Sequence, residues 1–377
     1  MEGRSETLIQ KVALSMIPGV NAELVRNLME RGITCRDFFT TNFSDERFGT
    51  DCALRRAAGI NSMHRDEALF RARKEVEFME RHNIRAYSLY DDDYPMLLRE
   101  IPDAPVVLYK IGNADLDAEK LVSIVGTRRP TNYGSDFCSG LVDDIGSYFP
   151  ETVIVSGLAY GIDSVSHSSA LEKGLPTVAV VAHGLDTVYP AAHRDLAGRI
   201  VRSGGAIVSE YPSGTRIFQG NFLKRNRIVA GLSHVTVVVE SEIRGGAMST
   251  ANTAFNYSRD VMALPGRISD RMSEGCNLLI RKNKAGMITT AADMIEQMNW
   301  KPLGVPGSVP LQRNLFPELG GNEAKVYELL RKHSEPLTVD AIFQATNIHI
   351  SELMAILTEL EFDAIITKLP GSRYTLA

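Results

Sequence analysis

The sequence has few cysteines, and they form no pattern that would bind metal or build a disulfide framework. The four are Cys35, Cys52, Cys138 and Cys276, which lack the close Cys/Cys or Cys/His spacing of a zinc site. Long apolar runs are also missing, since stretches such as Val235 to Val239 are far too short to cross a bilayer. The first residues lack the uninterrupted apolar core of a secretory signal. We therefore expect a cytoplasmic protein with no membrane insertion, no bound metal and no cofactor.

Two common nucleotide-binding motifs are absent as well. The sequence contains no GxxxxGK[ST], so ATP hydrolysis of the P-loop kind has no support. After the first predicted strand of the central region the chain reads GTRRPTNYG, where two arginines and a proline replace the second and third glycines of GxGxxG. A dinucleotide pyrophosphate requires bare backbone at that turn, so ordinary NAD binding is disfavoured.

Basic residues do not outnumber acidic ones, which is unusual for a protein that binds nucleic acid. The formal net charge is −5 and the pI is about 6.0. Whole-chain charge governs solubility and long-range steering, whereas binding depends on the local potential. The positions of the arginines therefore decide which ligands are possible.

The central region carries the strongest pattern in the sequence. Six short runs rich in β-branched residues recur there: LVSIVG, TVIVSG, TVAVVAH, GAIVSE, VTVVVE and VMALPG. Each is apolar almost throughout, as in strands buried on both faces, and stretches long enough for one helix separate them. This alternation predicts right-handed βαβ crossovers, and hence a Rossmann-like, doubly wound α/β fold with a mostly parallel sheet.

We predict four segments along the chain. Residues 1–110 form a helical domain of the helix-hairpin-helix or SAM-like type with a lead-in segment, and residues 111–298 form the Rossmann-like domain. Residues 299–321 are rich in proline and glycine and are interpreted as a linker. Residues 322–377 form a winged-helix domain, with helices over about 323–333, 338–345 and 350–361 and a wing over 365–369 and 373–376.

Both flanking domains leave their roles open. The turn Ile17 to Asn21 resembles a helix-hairpin-helix, but Asn21 replaces its usual second glycine, so packing is at least as well supported as DNA contact. The third helix of the winged-helix domain carries no Lys or Arg, and its acidic residues are Glu352, Glu359, Glu361 and Asp363. Carboxylates facing phosphates repel them, so we expect this helix not to enter duplex DNA and the domain to contact protein instead.

Glycines and basic residues gather at the ends of the predicted strands, where open parallel sheets bind ligands. The loops Ser156–Gly161 and Arg244–Thr250 combine glycine with a helix start, which suits a phosphate. In any one loop, the glycine is explained equally well by the need for a tight turn. Several glycine-containing loops on one edge, however, favour an anionic ligand. The candidates from these loops are Gly157, Gly245 and Gly246.

The arginines fit an anionic ligand at the same edge. Arg128 and Arg129 directly follow the first strand, where guanidinium groups can clamp phosphates. Lys224, Arg225 and Arg227 occupy the first turns of a predicted helix, in a stretch without acidic residues. A solvated basic face is the alternative interpretation. Phe222, just before them, could stack on a base or belong to the core.

An enzyme is the rival interpretation. His167, His183 and His193 lie near these strand ends, and Asp163 stands four residues before His167 on one predicted helix. A capping or packing pair is the favoured interpretation, and no GxSxG nucleophile motif occurs. A nucleotide-processing enzyme that uses the same sheet edge stays open, although fold analogy alone is weak support.

Taken in order, the motifs resemble those of the DNA-processing protein A (DprA/Smf) family. The matching segments are VSIVGTRRPTNYG, VSGLAYGIDSVSHSSAL, TVAVVAHGLDTVYP, GGAIVSEYP, FLKRNRIVAGLS, TVVVESEIRGGAMSTANTA and ALPG followed by EGCNLLIRKNKA. The resemblance implies a homodimeric, non-enzymatic protein that binds single-stranded DNA. It also implies that the protein protects incoming DNA and loads the RecA recombinase during natural transformation and recombination.

The resemblance also implies which residues contact DNA. Phosphate contacts are expected from Arg128, Arg225 and Arg227, and further contacts near Phe222, Asn226, Gly245 and Gly246. The family often has Ser-Gly-Ser where this chain has Gly245-Gly246-Ala247, so backbone donors are kept but hydroxyl contacts are lost. The region from Cys276 to Ile280 is a candidate dimer interface.

Overall fold

The computed structural model describes residues 2–40, 62–301, 320–333, 336–362, 365–369 and 373–376. The chain forms two compact units, Met1–Val305 and Pro306–Ala377. Most of the predicted linker, residues 302–319, lies outside the described residues. Among those that are described, no helix is both long enough and apolar enough to span a membrane.

The first unit begins with helices. They are α1 (Glu2–Ser15), α2 (Ala22–Glu30), α3 (Cys35–Thr40) and α4 (Ser62–His82). Asn21 caps α2, because its side-chain oxygen accepts a hydrogen bond from the Leu24 N–H at 2.9 Å. The residue that departs from the hairpin motif therefore stabilises a helix start, and a DNA contact at this turn stays a prediction.

A nine-stranded sheet follows within the described part of the chain. Its strands are β1 (Arg85–Ser88), β2 (Val107–Gly112), β3 (Leu121–Gly126), β4 (Val153–Ser156), β5 (Thr177–Val180), β6 (Ala206–Ser209), β7 (Val235–Val239), β8 (Asp260–Ala263) and β9 (Gly286–Met287). The spatial order is β1-β2-β6-β5-β4-β3-β7-β8-β9. All neighbours from β6 to β9 pair in parallel, which confirms the Rossmann-like, mostly parallel fold.

The two outer strands β1 and β2 correct the expectation that residues 1–110 are mainly helical. β2 pairs antiparallel with β6, and β1 pairs antiparallel with β2. The segment that we interpreted as a lead-in thus extends the sheet past its parallel edge. Burial gives the physical reason, because Leu108 and Tyr109 are buried in the same core as the parallel strands.

Helices cover both faces of the sheet. They are α5 (Met96–Glu100), α6 (Asn132–Tyr148), α7 (Ile162–Lys173), α8 (Arg194–Arg202, after a 3₁₀ turn at Ala191–His193), α9 (Gln219–Gly231), α10 (Gly246–Asn256), α11 (Glu274–Arg281) and α12 (Ala291–Gln297). Alternate residues of β3 face opposite cores: Leu121 and Val125 enter one, and Val122 and Ile124 the other. Burial on both sides explains why these strands are apolar without interruption.

The strand order creates a crevice at one edge of the sheet. From β3 the chain moves outward through β4, β5 and β6, and then returns to place β7 on the other side of β3. The connections that leave β3 and β7 therefore diverge, and the gap between them is the switch point where ligands bind in such sheets.

The second unit is a small winged helix, as predicted. It contains α13 (Gly321–Lys332), α14 (Val339–Thr346), α15 (Ile350–Phe362) and the strands β10 (Leu337–Thr338), β11 (Ile366–Leu369) and β12 (Arg373–Leu376). The strands form an antiparallel sheet in the order β10-β12-β11. On α15, Leu353 and Leu357 face the core, whereas Glu352, Glu359 and Glu361 are exposed. Asp363 lies outside the described residues.

Candidate nucleic-acid interface

A cleft of about 280 Å³ opens at the switch point, beyond the carboxyl ends of β3, β4 and β7. Seven of the ten residues predicted for the binding site line it: Arg128, Gly157, Phe222, Arg225, Asn226, Gly245 and Gly246. The other three predicted residues, Arg129, Lys224 and Arg227, do not line it. The loop after β3, with Arg128, and the helix α9, with Arg225, therefore meet at one edge as the sequence predicted, although with fewer cations than expected.

The Arg128 loop is tied firmly to the end of β7. The Thr127 N–H donates to the Glu240 carbonyl at 2.8 Å, and the Thr131 N–H donates to Glu240 Oε2 at 2.8 Å. The Thr131 hydroxyl donates to the other carboxylate oxygen. Glu240 is buried and adopts a φ of 55°, a conformation that non-glycine residues tolerate mainly where surrounding contacts enforce it. These bonds fix the loop and leave Arg128 and Arg129 exposed.

The loop after β4 is compact because it lies directly against Arg225. A Cβ atom on Gly157 would lie 1.8 Å from Arg225 Nη1, so no larger residue fits without movement. Leu158 and Gly161 adopt positive φ values of 57° and 81°, which close the turn tightly. Gly157 therefore serves close packing against a guanidinium, in addition to any backbone contact with a ligand.

Arg225 is almost completely buried. Its side chain lies 5% exposed, and Nη1 donates to the Val180 carbonyl at 2.7 Å. Burial lowers the pKa of Arg225, and the carboxylate of Asp163 opposes that change. Burial likewise raises the pKa of Asp163, against the charge of Arg225 and a hydrogen bond from the Ala159 N–H. Arg225 and Asp163 thus influence each other electrostatically in the buried lining of the cleft, without an ion pair within 4.0 Å, and a direct phosphate contact from Arg225 stays a prediction.

Arg227 faces away from the cleft, which differs from its predicted position. Residues two apart on a helix do not share a face, so Arg225 and Arg227 point to different sides of α9. Arg227 Nη2 lies 2.7 Å from Glu210 Oε2, and Nε lies 3.5 Å from Asp103 Oδ2. Lys224 Nζ lies 3.4 Å from the same Glu210 oxygen. These two cations are already paired with carboxylates beside the N-terminal hairpin.

Four further arginines, which were not among the ten predicted site residues, are exposed on successive loops of this edge. They are Arg194 after β5, Arg216 after β6, Arg244 after β7 and Arg267 after β8. None of them forms an ion pair with another described residue, in contrast to Arg227. Their position in the segments that follow the predicted strands was the available signal, because parallel strands bring all such segments to one edge.

The three histidines near the edge all take part in structural hydrogen bonds. His183 Nε2 accepts from the Tyr189 N–H at 3.2 Å, so its Nδ1 carries the proton that is donated to the Gly184 carbonyl. His193 Nδ1 lies 2.9 Å from the Leu158 carbonyl. His167 Nδ1 lies 2.7 Å from Thr177 Oγ1, which itself donates to the Ile154 carbonyl. Each ring therefore supports a loop or strand.

His167 makes the stability of the first unit depend on pH. It is fully buried, and burial lowers its pKa to about 3. The unfolded chain, with a pKa of about 6.5, binds more protons between these values. The stabilisation by neutral His167 is thus complete above about pH 6.5 and is lost as pH falls towards 3. Lowering the pH from 7.5 to 5 should cost about 2 kcal/mol from this residue alone.

His167→Asn supplies the matched comparison, because an amide N–H can replace the Nδ1–H bond to Thr177. The free energy of unfolding, measured with urea at both pH values, should fall by about 2 kcal/mol less in the variant than in the parent. The other titrating groups are common to the two proteins. An equal fall in the free energy of unfolding of both therefore contradicts the role of His167 in the pH dependence.

Comparison with known proteins gives consistent matches over most of the chain. The family model for DNA recombination-mediator protein A matches residues 85–299, and a model for the DprA winged helix domain matches residues 315–372. Protein Smf of Synechocystis sp. is 35% identical over 338 residues, which cover 79% of this chain and 82% of that protein. DNA processing protein DprA of Streptococcus pneumoniae is 38% identical over 215 residues, or 57% of this chain and 74% of that protein.

Two solved structures agree with these sequence matches. DNA processing protein A from Streptococcus pneumoniae superposes with a TM-score of 0.61 at 31% identity, covering 78% of this chain and 97% of that one. The protein of the same name from Helicobacter pylori superposes with a TM-score of 0.51 at 31% identity, covering 57% of this chain and 95% of that one. The Helicobacter pylori structure concerns a single-stranded DNA binding mode.

Proposed function

Because the chain belongs to the DNA recombination-mediator protein A family, we propose that it binds single-stranded DNA along the carboxyl edge of its central sheet. The observation that carries the proposal is the cleft at the switch point, with Arg128 at its wall and unpaired arginines on the neighbouring loops. A strand of nucleic acid carries phosphates along its length, and several successive loops of this edge carry an exposed arginine. A single small anion would need only one of them.

Backbone donors complete the phosphate site in this proposal. Helix α10 begins at Gly246, with Gly245 as its cap, and both glycines line the cleft. The first N–H groups of a helix lack partners within it and carry the positive end of its dipole. Without side chains at these positions, a phosphate can approach the backbone closely. Phe222 and Asn226, on the facing helix, are then the groups nearest a base.

The finer role follows from the family alone and is likewise proposed. The protein would act without catalysis, protect incoming DNA and load the RecA recombinase in natural transformation, as a cytoplasmic homodimer. The candidate dimer region Cys276 to Ile280 has Cys276 and Leu279 buried within the protomer, while Leu278 and Ile280 stay partly accessible. The last two are the side chains that a partner could cover.

The winged helix is not expected to bind duplex DNA through α15. Three carboxylates of this helix, from Glu352, Glu359 and Glu361, are exposed. A helix that enters the major groove normally presents cations or hydrogen-bond donors to phosphates and bases. Binding of this protein to DNA should therefore depend on the first unit.

A gel-shift comparison of single-stranded and duplex oligonucleotides across a salt series tests the proposal. The single strand should bind more tightly, and the logarithm of its affinity should fall linearly with the logarithm of salt, with a slope of about −0.7 per phosphate contact. Five contacts correspond to about a 100-fold loss between 50 and 200 mM salt. Equal affinity for duplex counts against the proposal. Turnover of a nucleotide, without affinity for a long oligonucleotide, supports the enzyme alternative instead.

A further inference from the structure

We propose that Tyr189 is a base-stacking residue that, together with Phe222, continues the DNA site out of the cleft towards the loop after β5. This inference rests on the proposed function and adds a residue that determines how bases, rather than phosphates, are bound. It starts from the position of two aromatic rings at the rim of the cleft.

The two rings are neighbours, and only one of them lines the cleft. Phe222 lines it, and its ring centroid lies 5.5 Å from that of Tyr189, with an angle of 59° between the planes. Tyr189 is 44% exposed. The tilt keeps the tyrosine face from being covered by Phe222, so together the rings form an apolar corner that is open to solvent. A base that leaves the cleft at Phe222 meets this corner first.

Tyr189 is held in position although its ring is exposed. Its backbone N–H donates to Nε2 of the buried His183. The carbonyl of His183 in turn accepts a hydrogen bond from the Ser209 hydroxyl at 2.6 Å, which ties this segment to the end of β6. A ring whose backbone is fixed loses little freedom when a ligand stacks on it. A fixed and exposed aromatic ring is therefore better explained by a binding role than by a loop that only faces solvent.

The charge around the corner suits nucleic acid rather than an uncharged ligand. Arg194 begins α8, five residues after Tyr189 in the chain, and Arg216 lies in the loop after β6. Both are exposed and form no ion pair with a described residue, while Asp186 is the exposed carboxylate of the same loop as Tyr189. An exposed aromatic face, with exposed guanidinium groups on loops of the same sheet edge, is the combination that binds stacked bases joined by phosphates.

The test compares an oligothymidylate with an abasic oligonucleotide of equal length. Tyr189→Ala should weaken binding of the oligothymidylate about tenfold, whereas Tyr189→Phe should bind like the parent because it keeps the ring. The abasic oligonucleotide should bind equally to parent and Tyr189→Ala. Phe255→Ala is the matched control, since Phe255 is 45% exposed at the far end of α10, about 15 Å from its start.

Tyr189→Trp gives a second, direct measurement. Trp300 is the single tryptophan of the chain, so the parent protein supplies the background fluorescence. The added indole should be quenched by the oligothymidylate and left unchanged by the abasic strand. If the parent binds single-stranded DNA but Tyr189→Ala binds the oligothymidylate equally well, this inference is overturned and the proposed function stands. If the parent binds no single-stranded DNA, both are overturned.

Discussion

Asp163→Ala is expected to destabilise the first unit by about 2–3 kcal/mol, because it removes a buried carboxylate that accepts a hydrogen bond from the Ala159 N–H and whose charge acts on buried Arg225. The reason lies in Arg225, which is 5% exposed, while Asp163 is 8% exposed. Removing the carboxylate leaves a guanidinium in the interior with the Val180 carbonyl as its hydrogen-bonded acceptor. An uncompensated buried charge costs far more than a missing surface ion pair.

The measurement is urea unfolding of the full chain at neutral pH, with Asp186→Ala as the control. Asp186 is an exposed carboxylate at the same sheet edge, so its loss should change stability by no more than about 0.5 kcal/mol. The double variant Asp163→Ala/Arg225→Met should recover part of the loss, because it removes both charges and keeps apolar volume. A single Asp163→Ala variant as stable as the parent contradicts this stabilising role of Asp163.

The burial of Arg225 and Asp163 changes how the role of Arg225 in DNA binding should be tested. Arg225→Glu would bring a second carboxylate to buried Asp163, so weak DNA binding by that variant would accompany a damaged fold. Gly157 adds to the constraint, because it lies directly against the guanidinium. Exposed arginines therefore give the cleaner test of phosphate binding, and Arg225 is better understood as the group that positions the floor of the cleft.

The sequence predicted the sheet well because its signal is local. Strands buried on both faces must be apolar at every position, so a run such as VTVVVE can be recognised as a strand from its own residues alone. The winged helix was predicted for a similar reason, from helical periodicity followed by two short strands. β2 was missed because VLYKIG follows a stretch that we interpreted as a lead-in, and its pairing with β6 links residues about a hundred positions apart.

The site was predicted in outline, but the direction of its side chains was not. Strand ends and glycines indicated the edge at which the cleft opens, since topology alone brings those loops together. Whether a guanidinium reaches solvent depends on contacts between distant segments. Arg227 is paired with Glu210 and Asp103, and Arg225 lies beneath Gly157. Neither contact can be recognised from the local sequence, whereas Arg244 and Arg267 stand within five residues of a strand end and could have been added to the predicted site for that reason.

The double variant Arg128→Glu/Arg244→Glu should lose more than 100-fold in affinity for single-stranded DNA while keeping its fold. Both side chains are exposed, and neither forms an ion pair with a described residue, so substitution should change stability by only about 0.5 kcal/mol each. Arg128 lines the cleft, and Arg244 precedes the start of α10. The two replacements change the local charge by four units at the point where phosphates are expected to lie.

Anisotropy of a labelled oligothymidylate across a salt series measures this effect. Two lost phosphate contacts should also make the salt dependence shallower, by about 1.4 in the slope. Lys173→Glu/Arg202→Glu is the matched control, because both residues are exposed and end α7 and α8, away from the edge where those helices begin. The control variant makes the same change in net charge as the cleft variant. If both variants lost the same affinity for DNA, overall charge rather than this edge would govern binding. Affinity of the cleft variant within threefold of the parent would locate the DNA elsewhere on the protein.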